Sequence, residues 1–180
     1  SVLPFVTKGD LNGDHKPDIL FQDNNGFLAY WPMDGINLGQ ASLLSPDNPR
    51  DRNWRIAATG DFNNDGQEDI LFQHTDGRLV VWFMRRTTQI GWSFLDDPRD
   101  RNWRVVSAAD MDDDNKIDLI FQHTDGSLAV WYLDGIRLRA AQLFPKTPDD
   151  TRWRVVGTGD FNTDGRSDLL FQHTDGTLAV

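Results

Sequence analysis

Four segments of the sequence place oxygen-bearing side chains at positions 1, 3, 5 and 9 of a nine-residue window. These windows, numbered loops one to four, are residues 10–18, 61–69, 110–118 and 160–168. Calcium is a hard cation that takes about six to eight oxygen ligands, and alternate residues of a tight loop can point toward one ion. A backbone carbonyl at position 7 would add a further oxygen. The expected ligands are Asp10, Asn12, Asp14, Lys16 and Asp18; Asp61, Asn63, Asp65, Gln67 and Asp69; Asp110, Asp112, Asp114, Lys116 and Asp118; and Asp160, Asn162, Asp164, Arg166 and Asp168, with Lys16, Gln67, Lys116 and Arg166 acting through the backbone.

The acidity of the chain is concentrated in these loops. Of the 28 acidic residues only Glu68 is a glutamate, and thirteen of the aspartates occupy the expected ligand positions. The formal net charge is −10, so the remainder of the chain is slightly basic. Carboxylates packed this closely repel one another unless a cation lies between them. The pattern therefore predicts up to four Ca²⁺ per chain.

Other interpretations of the loops are weaker. An EF-hand needs a bidentate Glu at position 12 between two helices, whereas position 12 is a phenylalanine in all four loops. Asp, Asn and Gly are also ordinary turn residues, so a single loop would be ambiguous, but four loops share one spacing. Position 6 favours a left-handed backbone, which Gly66 and Gly165 supply more easily than His15 and Asn115. We expect loops two and four to bind most tightly.

The loops recur because the whole chain repeats. The phrase Phe-Gln-His-Thr-Asp-Gly begins at Phe72, Phe121 and Phe171, with a diverged copy at Phe21, which gives a period of about 50 residues. Short apolar runs bounded by Gly, Asp, Asn or Pro predict four β-strands in each complete unit and no helix. We place the units at residues 1–50, 51–99, 100–149 and 150–180, the last being partial.

Four-stranded units at this period predict an all-β fold, a β-propeller of about 3.5 blades, with a flat sandwich as the weaker alternative. The first strand is expected at residues 3–7, and the final unit stops within its third strand. Two interpretations remain open: self-association that closes the ring, or a chain that is part of a longer one. The start of the sequence has no signal-peptide pattern, so we expect a mature form or an excised piece.

Composition excludes several function classes. A net charge of −10 argues against a nucleic-acid partner, and no apolar run reaches the ~18 residues of a membrane span. There is no cysteine for disulfides or thiolate chemistry. Three histidines, His74, His123 and His173, share one repeat position beside a turn, so we expect them to close that turn by hydrogen bonding. With the carboxylates assigned to metal, we expect no acid with a raised pKa and no enzymatic activity.

The tryptophans also recur with the repeat, at the start of the first strand and within the third strand. Most are expected to pack between blades. Their faces, with the arginines that follow, offer an alternative site for a sugar or protein ligand, and Trp92 lies outside the repeat pattern. The candidate ligand-binding residues are Trp54, Arg55, Trp92, Trp103, Arg104, Trp153 and Arg154.

The segments 60–71 and 159–170 read Gly-Asp-Phe-Asn-x-Asp-Gly-x-x-Asp-(Ile/Leu)-Leu, and the Asp-Gly-x-Leu-x-Val-Trp pattern follows at 76–82. This pattern resembles the FG-GAP/VCBS repeat family, including its bacterial secreted members. The resemblance implies a propeller like that of integrin alpha chains, with calcium in the loops between first and second strands, in a secreted or cell-surface protein. It favours a non-catalytic binding or structural module. A multivalent propeller lectin and an accessory domain of an extracellular enzyme are the alternatives.

Overall fold

The computed structural model describes residues 9–148 and 150–180, and every regular element in these residues is a β-strand. Accordingly, they include no long apolar helix of the kind that crosses a membrane. The strands form successive antiparallel sheets in chain order, as in the blades of a propeller. This confirms the predicted all-β class. The predicted first strand at residues 3–7 lies outside the described residues.

The five sheets make up four units, called blades 1 to 4, of which blade 1 contains two sheets. Blade 1 comprises β1 (Ile19–Gln22), β2 (Leu28–Trp31), β3 (Met33–Asp34), β4 (Asn37–Leu38) and β5 (Ser42–Leu43); blade 2 comprises β6 (Trp54–Gly60), β7 (Asp69–His74), β8 (Leu79–Arg85) and β9 (Thr88–Phe94); blade 3 comprises β10 (Trp103–Ala109), β11 (Asp118–His123), β12 (Leu128–Asp134) and β13 (Arg137–Leu143); and blade 4 comprises β14 (Trp153–Gly159), β15 (Asp168–His173) and β16 (Leu178–Ala179).

Blades 2 and 3 are meanders in which each strand pairs with the next along the chain. In blades 2 to 4 the loops of acidic residues join the first two strands, and Thr-Asp-Gly turns join the second strand to the third. The glycine of each such turn has a positive φ, 106° at Gly77 and 94° at Gly126, a conformation in which glycine has no steric penalty. Gly77 donates its N–H to the His74 carbonyl at 3.0 Å, which closes the turn.

Blade 1 differs from this pattern because of Pro32. The strand of blade 1 that corresponds to β8 and β12 ends at Trp31 (β2) and resumes at Met33 (β3). The predicted continuous strand is therefore two short ones. Proline has no N–H to donate to a neighbouring strand. The equivalent positions in the other blades, Phe83 and Tyr132, each adjoin a shift in the pairing register. The break therefore falls where the repeat already bends.

The second strands of blades 2 and 3 are buried because each of these blades lies between two neighbours. All six residues of β7 are buried, and a strand covered on both faces reads as a continuous apolar run. Side chains alternate between the two faces. Phe72 packs with Leu20 and Leu28 of blade 1, whereas Leu71 packs with Phe121 of blade 3. The apolar core therefore lies between blades.

A buried glutamine links each blade to the next. The glutamine of the repeated Phe-Gln phrase donates its Nε2–H to a carbonyl in the first strand of the following blade, and its Oε1 accepts an N–H two residues further on. The pairs are Gln22 with Trp54 O (3.0 Å) and Ile56 N (3.0 Å), Gln73 with Trp103 O (3.0 Å) and Val105 N (3.1 Å), and Gln122 with Trp153 O (3.0 Å) and Val155 N (3.2 Å). We call this contact the glutamine junction.

Candidate metal centres

The aspartate at position 1 organises each loop by accepting backbone N–H groups. In loop two, Asp61 accepts from Asp65 at 3.0 Å and from Gly66 at 2.8 Å. The same bonds recur in the other loops, from His15 to Asp10, from Asn115 to Asp110 and from Gly165 to Asp160. A short side chain that accepts N–H groups three to five residues ahead curls the backbone around itself. The loop is thus formed by its own hydrogen bonds.

The aspartate at position 9 fixes the loop to the sheet. Asp69 is the first residue of β7 and is fully buried. One of its carboxylate oxygens accepts from Phe62 at 3.1 Å and the other from Met84, in the third strand, at 2.8 Å. Asp18 and Asp118 are buried in the same way with equivalent partners. Each carboxylate oxygen has a second lone pair, so these bonds leave acceptor capacity for a cation.

Burial raises the pKa of these position-9 carboxyls because it disfavours their charged form. It raises the pKa of Asp69 to about 6, against the opposing effect of the N–H groups of Met84 and Phe62, while the nearby Asp65 and Asp61 raise it further. Burial likewise raises the pKa of Asp18 and of Asp118. A bound cation would reverse this penalty by favouring the ionised form.

Two positions in each loop adopt the left-handed backbone, where one was predicted. Position 6 has φ between 61° and 87° in the four loops, in agreement with the sequence. Position 4 is also left-handed, with φ of 81° at Gly13, 59° at Asn64, 61° at Asp113 and 64° at Thr163. A β-branched residue is strained in that region, at a cost on the order of 1 kcal/mol. Loop four carries this strain at Thr163, which the prediction of a tight fourth site did not include.

The side chains at position 7 fix the loops to a second turn. Lys16 and Lys116 place their Nζ atoms 2.8 Å from Asp34 and Asp134, in the turn between third and fourth strands. In blade 2 that turn contains Arg85-Arg86, and Gln67 Oε1 instead accepts the N–H of Arg86 at 2.9 Å. The sequence assigned only a backbone carbonyl to position 7. The sequence did contain a signal for this second role: where position 7 is lysine the second turn has aspartate, and where position 7 is glutamine that turn has arginine.

Loop three has the densest set of carboxylates. Oxygens of Asp110, Asp112 and Asp118 lie within 4.8 Å of one another, at positions 1, 3 and 9. Asp114 Oδ2 is shielded from solvent and accepts no hydrogen bond from any described residue. Oxygen donors that converge as those of Asp110, Asp112 and Asp118 do suit a hard divalent cation. The residues present therefore fit calcium.

Arg139 already lies against these carboxylates. Its guanidinium forms an ion pair with Asp112, and Nη1 is 3.3 Å from Asp114 Oδ2. The equivalent residues of blades 1 and 2 are Gly39 and Ile90, so this cation is specific to blade 3. Part of the negative charge of loop three is thus offset by the protein.

The expectation that no acid has a raised pKa is wrong. Besides Asp69, burial raises the pKa of Glu68 to about 7; a hydrogen bond from Thr59 opposes this, and the charges of Asp61, Asp69 and Asp10 add to it. Glu68 stands at position 8, where loop three has the apolar Ile117. Its Oε2 is buried and accepts no hydrogen bond from the described residues. The pKa of Glu68 is raised because its carboxyl group is buried between blades. The sequence alone gives no sign that position 8 of this loop is buried.

The repeated histidines close their turns as predicted. Asp76 donates its N–H to His74 Nδ1 at 3.3 Å, and Asp125 and Asp175 do the same for His123 and His173. The Nε2 atom of each ring faces a second aspartate, 3.3 Å away at Asp51 for His74. Each histidine therefore lies between two carboxylates.

The candidate ligand residues of the first strands are engaged within the fold. Trp54, Trp103 and Trp153 pack in tilted geometry against the histidines of their own blades, with ring centroids 4.9, 4.9 and 5.0 Å apart. Arg55 donates to the carbonyls of Asp23 and Asn24, and Arg104 to that of Thr75, across the blade boundary. Arg154 bonds Thr151 and Trp153 within blade 4. Trp92 is separate from these and is 60% exposed on β9.

Sequence reasoning missed two sets of residues that the structure places at functional positions. The glutamines of the junction were visible as part of the repeated phrase, but their partners lie in the next unit. Arg139 is noticeable only when it is compared with Gly39 and Ile90, the residues at the same position in blades 1 and 2. No sequence motif marks Arg139 as a counter-ion.

The FG-GAP-like repeat pattern matches residues 10–72 and again residues 61–121. Each match begins at the position-1 aspartate of one loop and ends at the phenylalanine that follows the next. No curated protein shows significant similarity to the chain. The two matches together span more than half of the sequence, and the chain belongs to the FG-GAP-like repeat family.

Proposed function

We propose that the chain is a calcium-stabilised β-propeller module of a secreted or cell-surface protein, with a binding or structural role and no catalytic one. The observation that supports this most strongly is the construction of the loops. Each is curled by hydrogen bonds to the side chain of its first aspartate, and in loop three the oxygens of Asp110, Asp112 and Asp118 lie within 4.8 Å of one another. A site formed before the ion arrives costs little reorganisation on binding.

In this proposal calcium acts through mass action. An ion that binds only the folded loop stabilises the folded state, by about 2.7 kcal/mol per site when its concentration is 100 times the dissociation constant. Extracellular calcium modules bind in the range of about 10⁻⁴–10⁻³ M. Loops as exposed as these, with three or four carboxylates each, suit that range and that setting.

The experiment is calorimetric titration of EDTA-treated protein with calcium, with the melting temperature recorded at both ends. We expect saturable binding of up to four ions per chain and a higher melting temperature. Asp65→Ala removes a ligand of loop two and should remove one ion from the stoichiometry. Asp96→Ala, at an exposed aspartate outside the loops, is the matched control. Absence of binding and of any thermal shift would mean that the loops are turns alone.

A second candidate function is carbohydrate binding, favoured by one aromatic cleft. Trp54, Trp82, Trp92 and Phe94 line a groove of ≈ 380 Å³ on blade 2, with Arg50 at its side. Exposed aromatic faces beside polar groups suit sugar rings, which present both kinds of surface. Binding on a glycan array that Trp92→Ala abolishes would establish it, and an array without signal would remove it.

A further inference from the structure

Every blade has two apolar faces that differ in what they cover. The face toward the next blade carries Leu71, Leu79 and Val81 in blade 2, which pack with blade 3. The face toward the preceding blade carries Ile70 and Phe72, which pack with blade 1. We call these the forward and backward faces. Each contact between blades joins one forward face to one backward face, together with one glutamine junction.

The forward face of blade 4 is open. Phe161 is 50% exposed where its equivalent Phe62 is 1% exposed, and Leu178 is 58% exposed where Leu79 is fully buried. Gln172 occupies the position of the three junction glutamines, yet it is exposed. Its side-chain amide therefore lies at the same position on the strand as those of the three junction glutamines. No following blade is present among the described residues to pair with it.

The backward face of blade 1 is open as well. Trp31 is 36% exposed where the equivalent Trp82 is 7% exposed. Phe21 and Ile19 are partly exposed, although their equivalents in blade 2 are fully buried. The chain thus carries two uncovered faces of opposite kind. Apolar patches of this sort on soluble proteins mark interaction surfaces.

We propose that these two faces bind each other between copies of the chain, so that blade 4 of one copy packs head-to-tail on blade 1 of a second copy. The occupant is a second copy because the surface that fits the forward face of blade 4, a backward face, is present and open on this chain. The internal contacts show that these residue positions fit together. Gln172, at the position of the junction glutamines, lies exposed on the same forward face.

Such a contact is heterologous, and it closes a ring only if the rotation permits. Two copies would bring together eight blades, counting the partly described blade 1 and the partial blade 4 of each copy, which lies within the range of about four to eight blades of known propellers. No calcium ligand lies in the contact itself, so assembly can be measured without calcium and tested apart from the function proposed above. Measurements with calcium and with EDTA therefore separate the two proposals.

The test is sedimentation equilibrium of the wild-type chain and of one variant for each face. Leu178→Arg places a charge on the forward face, and Trp31→Arg places one on the backward face. Both side chains are exposed in the single chain, and circular dichroism checks that each variant folds. Ile36→Arg, at a turn residue that is 94% exposed, is the control and should leave the mass unchanged.

We expect the wild type to sediment at no less than twice the 20.5 kDa of one chain, and each face variant to sediment as one chain. An equal mixture of the two face variants keeps one intact face of each kind and should recover a two-chain species. Gln172→Ala should weaken assembly about tenfold or more, because the equivalent glutamines bond across every internal contact between blades.

The other outcomes overturn the proposal. A wild type of one-chain mass would mean that something other than a second copy covers these faces. If Trp31→Arg kept the wild-type mass, the contact would be forward face on forward face. A mixture that stayed at one-chain mass would show that the two faces do not recognise each other.

Discussion

Replacement of Gln73 by alanine tests how the blades are held together. Gln73 is 6% exposed, and its amide forms the junction with the Trp103 carbonyl and the Val105 N–H. Alanine leaves both backbone groups buried without their partners, at about 1–3 kcal/mol each. We therefore expect the free energy of unfolding to fall by about 2–6 kcal/mol.

The assay is urea unfolding in saturating calcium, which keeps the loops in one state. With an m-value of about 2 kcal/mol/M, the midpoint should fall by about 1–3 M. Hydrogen exchange gives a local measurement, since the Val105 amide should exchange faster in the variant. Gln142→Ala, at an exposed residue of the outer strand β13, should change the free energy by less than about 0.5 kcal/mol.

A loss for Gln73→Ala as small as that of the control would refute the reasoning. It would mean that apolar packing alone holds blade 2 to blade 3. A large loss without faster exchange at Val105 would also contradict it, because the cost would then arise elsewhere.

Two further predictions concern charge. Arg139→Ala should tighten calcium binding at loop three several-fold, by about the strength of a partly exposed ion pair, because it frees Asp112 and Asp114; calorimetry against Arg137→Ala checks this, and equal affinities would show that Arg139 does not compete. Glu68→Gln should raise the melting temperature of calcium-free protein at pH 8 but not at pH 4. The pKa of Glu68 is raised to about 7 in the folded protein, so folding favours the protonated form and wild-type stability falls as the pH rises from about 4.5 to 7. Thermal melts in EDTA at both pH values measure the difference, and a gain at pH 4 alone would contradict the sign.

Features set by local sequence could be predicted, because they need no knowledge of a neighbouring blade. The loops are an example: their turn residues, period and ligand spacing all lie within nine residues. The position-6 conformation was predicted for the same reason. The break at Pro32 was readable too, since proline stands where Phe83 and Tyr132 continue their strands.

Features set across a blade boundary could not be predicted. The partner of Gln73 lies 30 residues further along the chain, and a repeated glutamine reads equally well as an exposed strand residue. Glu68 is a similar case, because its raised pKa comes from burial against another blade. Arg139 reaches loop three only because β13 folds back toward it.

Position 2 of each loop connects the metal centre to the contact between blades. The Phe62 N–H donates to Asp69, and its side chain is buried in the cluster shared by blades 2 and 3. Phe161 makes the same bond to Asp168 at 3.0 Å, yet its side chain is half exposed. Loop four therefore lacks the packing that steadies loop two, and it also carries the strained Thr163. If a second copy covers Phe161, assembly and calcium binding at loop four must strengthen each other by the same factor, because the coupling between two equilibria is reciprocal.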